Sequence, residues 1–118
     1  MTMTKQKLSE ILNSLGIPVG EGEHFLDTSG EYPKIAYWGY ILEDEMASGD
    51  DYEELMTYQV SFASRKPWDP KILQLKHILN DMHLHPTIYQ EYVKRDGMPG
   101  HFHNYFSLQV FERVTDEE

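Results

Sequence analysis

Histidine is the residue type in this chain with the clearest potential for chemistry, because it occurs in two His-x-His pairs. The pairs are His83/His85 and His101/His103. Residues i and i+2 of a strand point to the same side of a sheet, so each pair could present two imidazoles to one metal ion. Asp81, two residues before His83, could add a carboxylate oxygen, as in a catalytic zinc or iron site.

The context of both pairs favours a different interpretation. The first pair follows a predicted helix and precedes Pro86, where strand geometry is not assured. The second pair follows a Gly-Met-Pro-Gly turn, where exposed polar residues are expected. We therefore predict solvated or interfacial histidines, no bound metal, no cofactor and no enzymatic activity.

The segment 43–53, EDEMASGDDYE, is rich in Asp and Glu. It lacks the ligand spacing and central glycine of an EF-hand loop, so calcium binding is not predicted. We interpret it as a solvated acidic loop between two strands, extending away from the body of the protein. An alternative is an interaction arm that becomes ordered on assembly.

The composition excludes several classes of function. The chain has no Cys, which rules out disulfides, thiolate catalysis and Cys-based zinc sites. No serine lies in a Gly-x-Ser-x-Gly motif, and Gly20-x-Gly22 lacks the third glycine of a dinucleotide site. The net charge of -10 disfavours nucleic-acid binding and suits a basic protein partner. Because no apolar run reaches membrane-spanning length, we expect a soluble intracellular protein or part of a particle assembled inside a cell.

Apolar periodicity predicts a helix over residues 5–15, which Gly16 is suited to end. Residues 19–33 are rich in glycine and acids, and we predict an irregular loop there. Strands are predicted over 34–42 and 54–65. The apolar face of the second strand is predicted to consist of Met56, Tyr58, Val60 and Phe62.

The second half of the chain predicts a helix and two more strands. Asp69 and Pro70 are suited to begin a helix that runs to about Asp81. Further strands are predicted over 87–93 and 102–113, followed by a frayed acidic tail at 115–118. The predicted buried positions of these elements are Ile72, Leu75, Leu79, Met82, Phe106, Leu108 and Val110.

This order predicts a single α+β domain over residues 1–118. The element order is α-β-β-α-β-β, with a mainly antiparallel four-stranded sheet and both helices on one of its faces. The predicted strand 34–42 is apolar on both of its faces. Because one layer of helices covers only one face of the sheet, the second apolar face favours oligomerisation.

Aromatic residues lie along the first two strands and the following turn. They form core and interface more often than a ligand groove, which is the alternative. We predict that the interface contains three of these aromatic residues and five acids of the acidic loop: Tyr37, Trp38, Tyr40, Glu43, Asp44, Glu45, Asp50 and Asp51.

Five segments together resemble a known family, and their order carries the resemblance. They are the opening KLSEILNSLGIPV, YPKIAYWGY before the acidic loop, TYQVSFASR, DPKILQLKHIL and the closing NYFSLQVFERV. In this order the chain resembles the small tail-terminator and tail-completion proteins of long-tailed phages and prophages of Gram-positive bacteria. The resemblance covers about residues 5–114, and it does not include the His-rich segment 83–85 or the turn KRDGMPGHFH.

The resemblance implies a structural protein without catalytic residues. Proteins of that family form rings, commonly hexamers, that cap the tail tube and join it to the head through sheet edges and loops. The implied partners are further copies of the chain, the tail-tube protein and head-tail connector proteins, in the virion tail or the cytoplasm of the bacterial host. An acidic bore would repel DNA and let it slide, in agreement with the net charge.

Two other functions remain open on the sequence. A small acidic immunity or inhibitor protein would bind a basic partner tightly as a monomer or dimer. A metal-dependent enzyme would contain stoichiometric metal held by the histidine pairs.

Overall fold

The computed structural model describes residues 3–27, 31–46, 52–94, 96–97 and 99–112. The helices are α1 (Lys5–Asn13) and α2 (Pro70–Asp81), with a short 3-10 helix at Glu23–Asp27. The strands are β1 (Val19–Glu21), β2 (Lys34–Met46), β3 (Tyr52–Ser64), β4 (Tyr89–Val93) and β5 (His101–Glu112). No helix of this described part is long and apolar enough to cross a membrane.

The predicted α+β class with two helices is confirmed, but the four-stranded sheet was wrong in detail. The sheet has five strands in the order β1-β2-β3-β5-β4. It is mixed, because β1 runs parallel to β2 whereas the other pairs are antiparallel.

The added strand lies where an irregular loop was predicted. β1 has only three residues, one of them Gly20, so it carries no strand pattern of its own. Its pairing with β2 is extended by two backbone bonds, from Ile35 N–H to the Pro18 carbonyl and from Gly22 N–H to the Tyr37 carbonyl, each 2.9 Å. The exposed edge of β2 therefore organises this segment.

Both helices begin with the local signals that the sequence provides. The Thr4 hydroxyl accepts a hydrogen bond from Lys7 N–H (3.1 Å), and Gly16 after α1 takes a φ of +77°. Asp69 accepts from Lys71 N–H (2.9 Å), with Pro70 as the first residue of α2. The buried Ser64 hydroxyl also donates to Asp69 (2.6 Å), which ties the start of α2 to the end of β3.

One core lies between the helices and one face of the sheet, which we call the inner face. The register aligns Tyr37, Val60 and Phe106 in one row across β2, β3 and β5. The side chains that fill this core are Met3, Leu8, Ile11, Leu12, Leu15, Ile35, Tyr37, Tyr58, Val60, Phe62, Ile72, Leu75, Leu79, Phe106, Leu108 and Val110. The predicted inward residues of β5 and α2 are confirmed, except that Met82 is only partly buried.

The opposite, outer face is not covered by α1 or α2; the crossover from β1 to β2, which contains the 3-10 helix Glu23–Asp27, covers it in part. Gly20 pairs with Ala36, whose side chain lies on the outer face. A Cβ at Gly20 would lie 2.3 Å from the Phe25 ring, so that ring lies directly over the outer side of β1. This covering explains how Ala36 is fully buried on the face that α1 and α2 leave uncovered.

The acidic loop is shorter than predicted. Strand β2 continues to Met46 and β3 begins at Tyr52, with Glu45 opposite Glu53 in the ladder. Thirteen-residue strands extend the hairpin well past the helices, because α1 and α2 are both shorter than the strands they cover. The longest dimension of the chain is accordingly 55 Å, against 28 and 22 Å for the others.

Candidate assembly surface

The distal half of the hairpin, which we call the arm, consists of residues 39–46 of β2 and 52–58 of β3. It begins at a β-bulge, where Gly39 is opposite Tyr58 and Ile41 is already opposite Thr57. Tyr40 is therefore the extra residue of the bulge. A Cβ at Gly39 would lie 2.7 Å from the Cγ and Sδ atoms of Met56, so the side chain of Met56 occupies the space that a larger residue would need.

The bulge directs Tyr40 across the outer face of the sheet. Its hydroxyl lies 3.2 Å from the Ser107 hydroxyl on β5, although β3 separates the two strands. The Tyr40 side chain must therefore cross over β3. It crosses near Thr57, whose side chain is buried on the outer face. This contact fixes the arm to β5 while leaving about half of the Tyr40 side chain exposed, at 51%.

Apolar side chains remain exposed on both sides of the arm. Ile41 is aligned with Thr57 on the outer face, and Leu42 with Met56 on the inner face. Their exposures are 41% and 54%. Two adjacent large aliphatic residues exposed on opposite sides of a strand are a surface that a partner could cover.

The arm also has an unpaired backbone edge. β1 pairs only with residues 35–37 of β2, so within the described residues no strand pairs with β2 on that side beyond Tyr37. An unpaired edge strand offers N–H and C=O groups to another strand. Acidic side chains near the end of this edge disfavour pairing with an identical acidic strand.

Carboxylates are concentrated at the far end of the arm. Asp44, Glu54 and Glu112 form one row across β2, β3 and β5, and Glu45 is paired with Glu53 one position further along. Like charges directly opposite each other destabilise a sheet. Among the residues that the structure describes, no group of three His, Cys, Asp or Glu side chains is placed to hold a metal ion.

The predicted interface residues divide into three groups. Tyr37 lies in the core against Tyr58, with ring centres 6.0 Å apart, so its side chain is not at the surface of the single chain. Trp38 is half-buried on the outer face, and Tyr40, Glu43 and Asp44 are exposed. Glu45 belongs to β2, whereas Asp50 and Asp51 lie outside the described residues.

The first histidine pair does not have the geometry expected of a metal site in a strand. His83 and His85 lie between α2 and β4, with φ angles of +64° and +44°, and both are exposed. Their backbone is left-handed rather than extended, so the i, i+2 alignment assumed from the sequence does not apply.

The second histidine pair does lie in a strand, with both side chains on the outer face. Each imidazole has its own neighbours: His101 stacks on Tyr32 (ring centres 5.4 Å apart), and Nδ1 of His103 lies 3.4 Å from a carboxylate oxygen of Glu91. His103 also packs against Tyr105, at 5.2 Å between ring centres. The two imidazoles thus take part in separate packing arrangements.

A group of basic side chains around Tyr32 was not predicted from the sequence. The Arg65 guanidinium lies 4.7 Å from the centre of the Tyr32 ring, and Nζ of Lys34 lies 5.1 Å from it. Both distances suit cation–π interactions. With His101 stacked on the same ring, these residues form what we call the Tyr32 cluster: Tyr32, Lys34, Arg65 and His101.

The Tyr32 cluster depends on register that the sequence does not encode locally. Lys34 begins β2, Arg65 follows β3, and His101 begins β5, so all three meet only because the strands start and end at the same level. Lys34 is only 2% exposed, which is unusual for a lysine. The one local signal in the sequence is that Lys34 begins an apolar run. This pattern typically indicates an exposed lysine at the end of a strand, so it would not have predicted the buried position of Lys34.

Comparison with known proteins assigns no family to the chain. No protein-family model matches it, and no curated protein shows significant similarity to it. The functional conclusion therefore depends on the geometry of the chain itself.

Proposed function

We propose that this chain is a non-enzymatic structural subunit, a tail-completion or tail-terminator protein of a phage or prophage. In this proposal, copies assemble into a ring, commonly a hexamer in the family that the sequence resembles, at the head-proximal end of the tail tube. The observation that carries the proposal is the arm, whose edge strand exposes Tyr40, Ile41 and Leu42.

The arm is better suited to assembly than to the stability of one subunit. Ile41 and Leu42 lie on its edge strand and are 41% and 54% exposed, so they contribute little burial to the fold of a single chain. The pairing of Asp44 with Glu54 adds repulsion within the hairpin. Both features become favourable when another protein surface covers the apolar residues and offsets the charge.

The distribution of charge agrees with a ring around DNA. The chain has 20 acidic residues against 10 basic ones, and a surface of this sign does not retain a phosphate backbone. DNA could therefore pass through a bore formed by such subunits without being bound. This property is compatible with other acidic proteins as well, so the arm remains the principal support.

The test measures assembly and tube binding with arm variants. Wild type is expected to form ring-sized particles in light scattering and electron microscopy, and to bind one end of purified tail tubes. The variant Ile41→Ser/Leu42→Ser should lose both properties because it removes the exposed apolar contacts. The variant Leu73→Ser is the control, since Leu73 on α2 is 47% exposed but remote from the arm.

A wild-type protein that neither assembles nor binds the end of a tail tube would contradict the proposal. The acidic end of the arm supports one alternative, an immunity or inhibitor protein that binds a basic partner. That alternative predicts a stable one-to-one complex with a basic protein, formed by a monomer or dimer that leaves tail tubes unbound.

A further inference from the structure

The turn between β3 and α2 presents two cations beside an aromatic ring. Arg65 and Lys66 are exposed, and Trp68, two residues further along the chain, is 46% exposed. We call Arg65, Lys66 and Trp68 the basic turn. It follows the last residue of β3, whereas the arm contains the first residues of that strand. The basic turn is therefore separate from the surface on which the proposed function depends.

No carboxylate of the described residues neutralises the two cations of the basic turn. Neither Arg65 nor Lys66 takes part in an ion pair there. The next acid along the chain, Asp69, is buried, and its two carboxylate oxygens accept hydrogen bonds from the Ser64 hydroxyl and from Lys71 N–H. In a chain with 20 acidic and 10 basic residues, two adjacent exposed cations without a carboxylate are complementary to acids of another molecule.

Contacts within the chain hold the basic turn in place. The Arg65 guanidinium lies 4.7 Å from the centre of the Tyr32 ring, and Lys66 N–H donates to the Ser64 hydroxyl (3.1 Å). Stacking on an aromatic ring limits the motion of a guanidinium, so less entropy is lost when its donors pair with a carboxylate. The planar fork of an arginine also matches the two oxygens of a carboxylate.

Trp68 has an unfavourable backbone conformation although its side chain is only partly buried. Its φ angle is +47°, in the left-handed region that a bulky residue rarely adopts. Strained residues of this kind occur most often at functional sites. An exposed indole is also among the commonest anchors of protein interfaces. The position of Trp68 beside two exposed cations therefore indicates a surface for an apolar group that lies next to acids.

We infer that the basic turn binds an acidic segment of another protein, in which an apolar side chain lies beside carboxylates. The carboxylates pair with Arg65 and Lys66, and the apolar side chain packs on Trp68. A nucleic acid fits this surface less well, because a net charge of -10 repels a long run of phosphates. A short acidic segment carries fewer charges, and it gains apolar contact as well.

The fluorescence of Trp68 measures this binding once Trp38, the other tryptophan, is replaced. The Trp38→Phe protein is titrated at low ionic strength with a short capped peptide of alternating Glu and Leu. We expect a saturable change in emission that weakens as salt is added. A matched peptide of Gln and Leu should bind at least about tenfold more weakly, because it lacks the carboxylates. No response to the Glu peptide would overturn the inference, as would equal or tighter binding of an oligothymidylate.

A matched pair of variants separates the basic turn from the overall charge. In the Trp38→Phe background, Arg65→Gln/Lys66→Gln should bind the Glu peptide about tenfold or more weakly. Lys7→Gln/Lys94→Gln makes the same change in net charge at exposed positions outside the turn, and its binding should match that of the parent. Equal weakening in both variants would show attraction by overall charge alone and would overturn the inference.

Trp68→Gly tests whether the strained tryptophan serves binding or packing. Glycine adopts the left-handed conformation without strain, which offsets the loss of partial burial, so the melting temperature should change little. Binding, now followed by the anisotropy of a labelled Glu peptide, should weaken about tenfold. Unchanged binding would make Trp68 a packing residue and overturn its role. Where the melting temperature falls sharply, Arg65→Gln/Lys66→Gln, which retains Trp68, decides the inference. Ring formation and tube binding are measured on the arm variants, so failure here leaves the proposed function unaffected.

Discussion

At the scale of single residues, Asp69 joins two elements, because its carboxylate accepts hydrogen bonds from Lys71 N–H in the first turn of α2 and from the Ser64 hydroxyl at the end of β3. Asp69 before Pro70 predicted the start of α2, and the structure places it there. Gly16 was predicted to end a helix over 5–15, but α1 ends at Asn13 with Ser14 as its cap, and Gly16 lies two residues further on with a φ of +77°. The partners supplied by other elements were not predicted. Ser64 donates to Asp69 from the end of β3, and Arg65 stacks on Tyr32, because the fold brings together segments with no shared local signal.

The contact between Asp69 and Ser64 gives a prediction for stability. Asp69→Ala should lower the free energy of unfolding by about 1–2 kcal/mol, because the first turn of α2 loses its capping carboxylate. The buried Ser64 hydroxyl would lose its acceptor as well. Urea denaturation measures the difference. Asp81→Ala, an exposed change at the other end of α2, should stay within about 0.5 kcal/mol of wild type, and equal losses for both variants would contradict the cap.

At the scale of elements, the periodicity of apolar residues predicted the long helices and strands. It did not predict the segments that become strands only by pairing with a neighbouring strand. The alternation in 54–65 predicted β3 and its inner face, and the helical spacing of Ile72, Leu75 and Leu79 predicted α2. Strand β1 was missed because three residues contain no period, and it exists only through its bonds to β2. The acidic composition of 43–46 indicated a loop, but pairing with β3 overrides that preference.

The bulge at Gly39 is the element on which the direction of the arm depends, and a double-mutant cycle tests it. Gly39→Ala should destabilise the chain by about 1–3 kcal/mol, because the new methyl group would overlap the Met56 side chain. Met56→Ala should destabilise it too, through lost packing. The double variant should cost less than the sum of the two, by about 0.5 kcal/mol or more, since the overlap is then absent. If the destabilisations caused by Gly39→Ala and Met56→Ala were simply additive, the Met56 side chain would not contact position 39.

At the scale of the whole molecule, the shape follows from strands that outgrow their helical layer. The radius of gyration is 15.8 Å, whereas a compact chain of this length is expected near roughly 13.5 Å. The sequence predicted an extension at 43–53, but as a solvated acidic loop after a strand that ends at residue 42; in the structure the paired strands β2 and β3 make much of this extension. Elongation and the separation of charge have one cause, since the same long strands extend the arm and place Lys34 and Asp44 far apart.

Solution scattering tests shape and charge together on the unaltered protein. In high salt and at low concentration, the scattering curve should show an elongated monomer with a radius of gyration above the compact value of about 13.5 Å. Lowering the salt should weaken any self-association, because the screening length grows from about 3 Å at 1 M to about 10 Å at 0.1 M and molecules with a net charge of -10 then repel each other more strongly. An apparent mass that rises as salt is lowered would contradict this expectation and show that local attraction between subunits exceeds the repulsion between whole molecules.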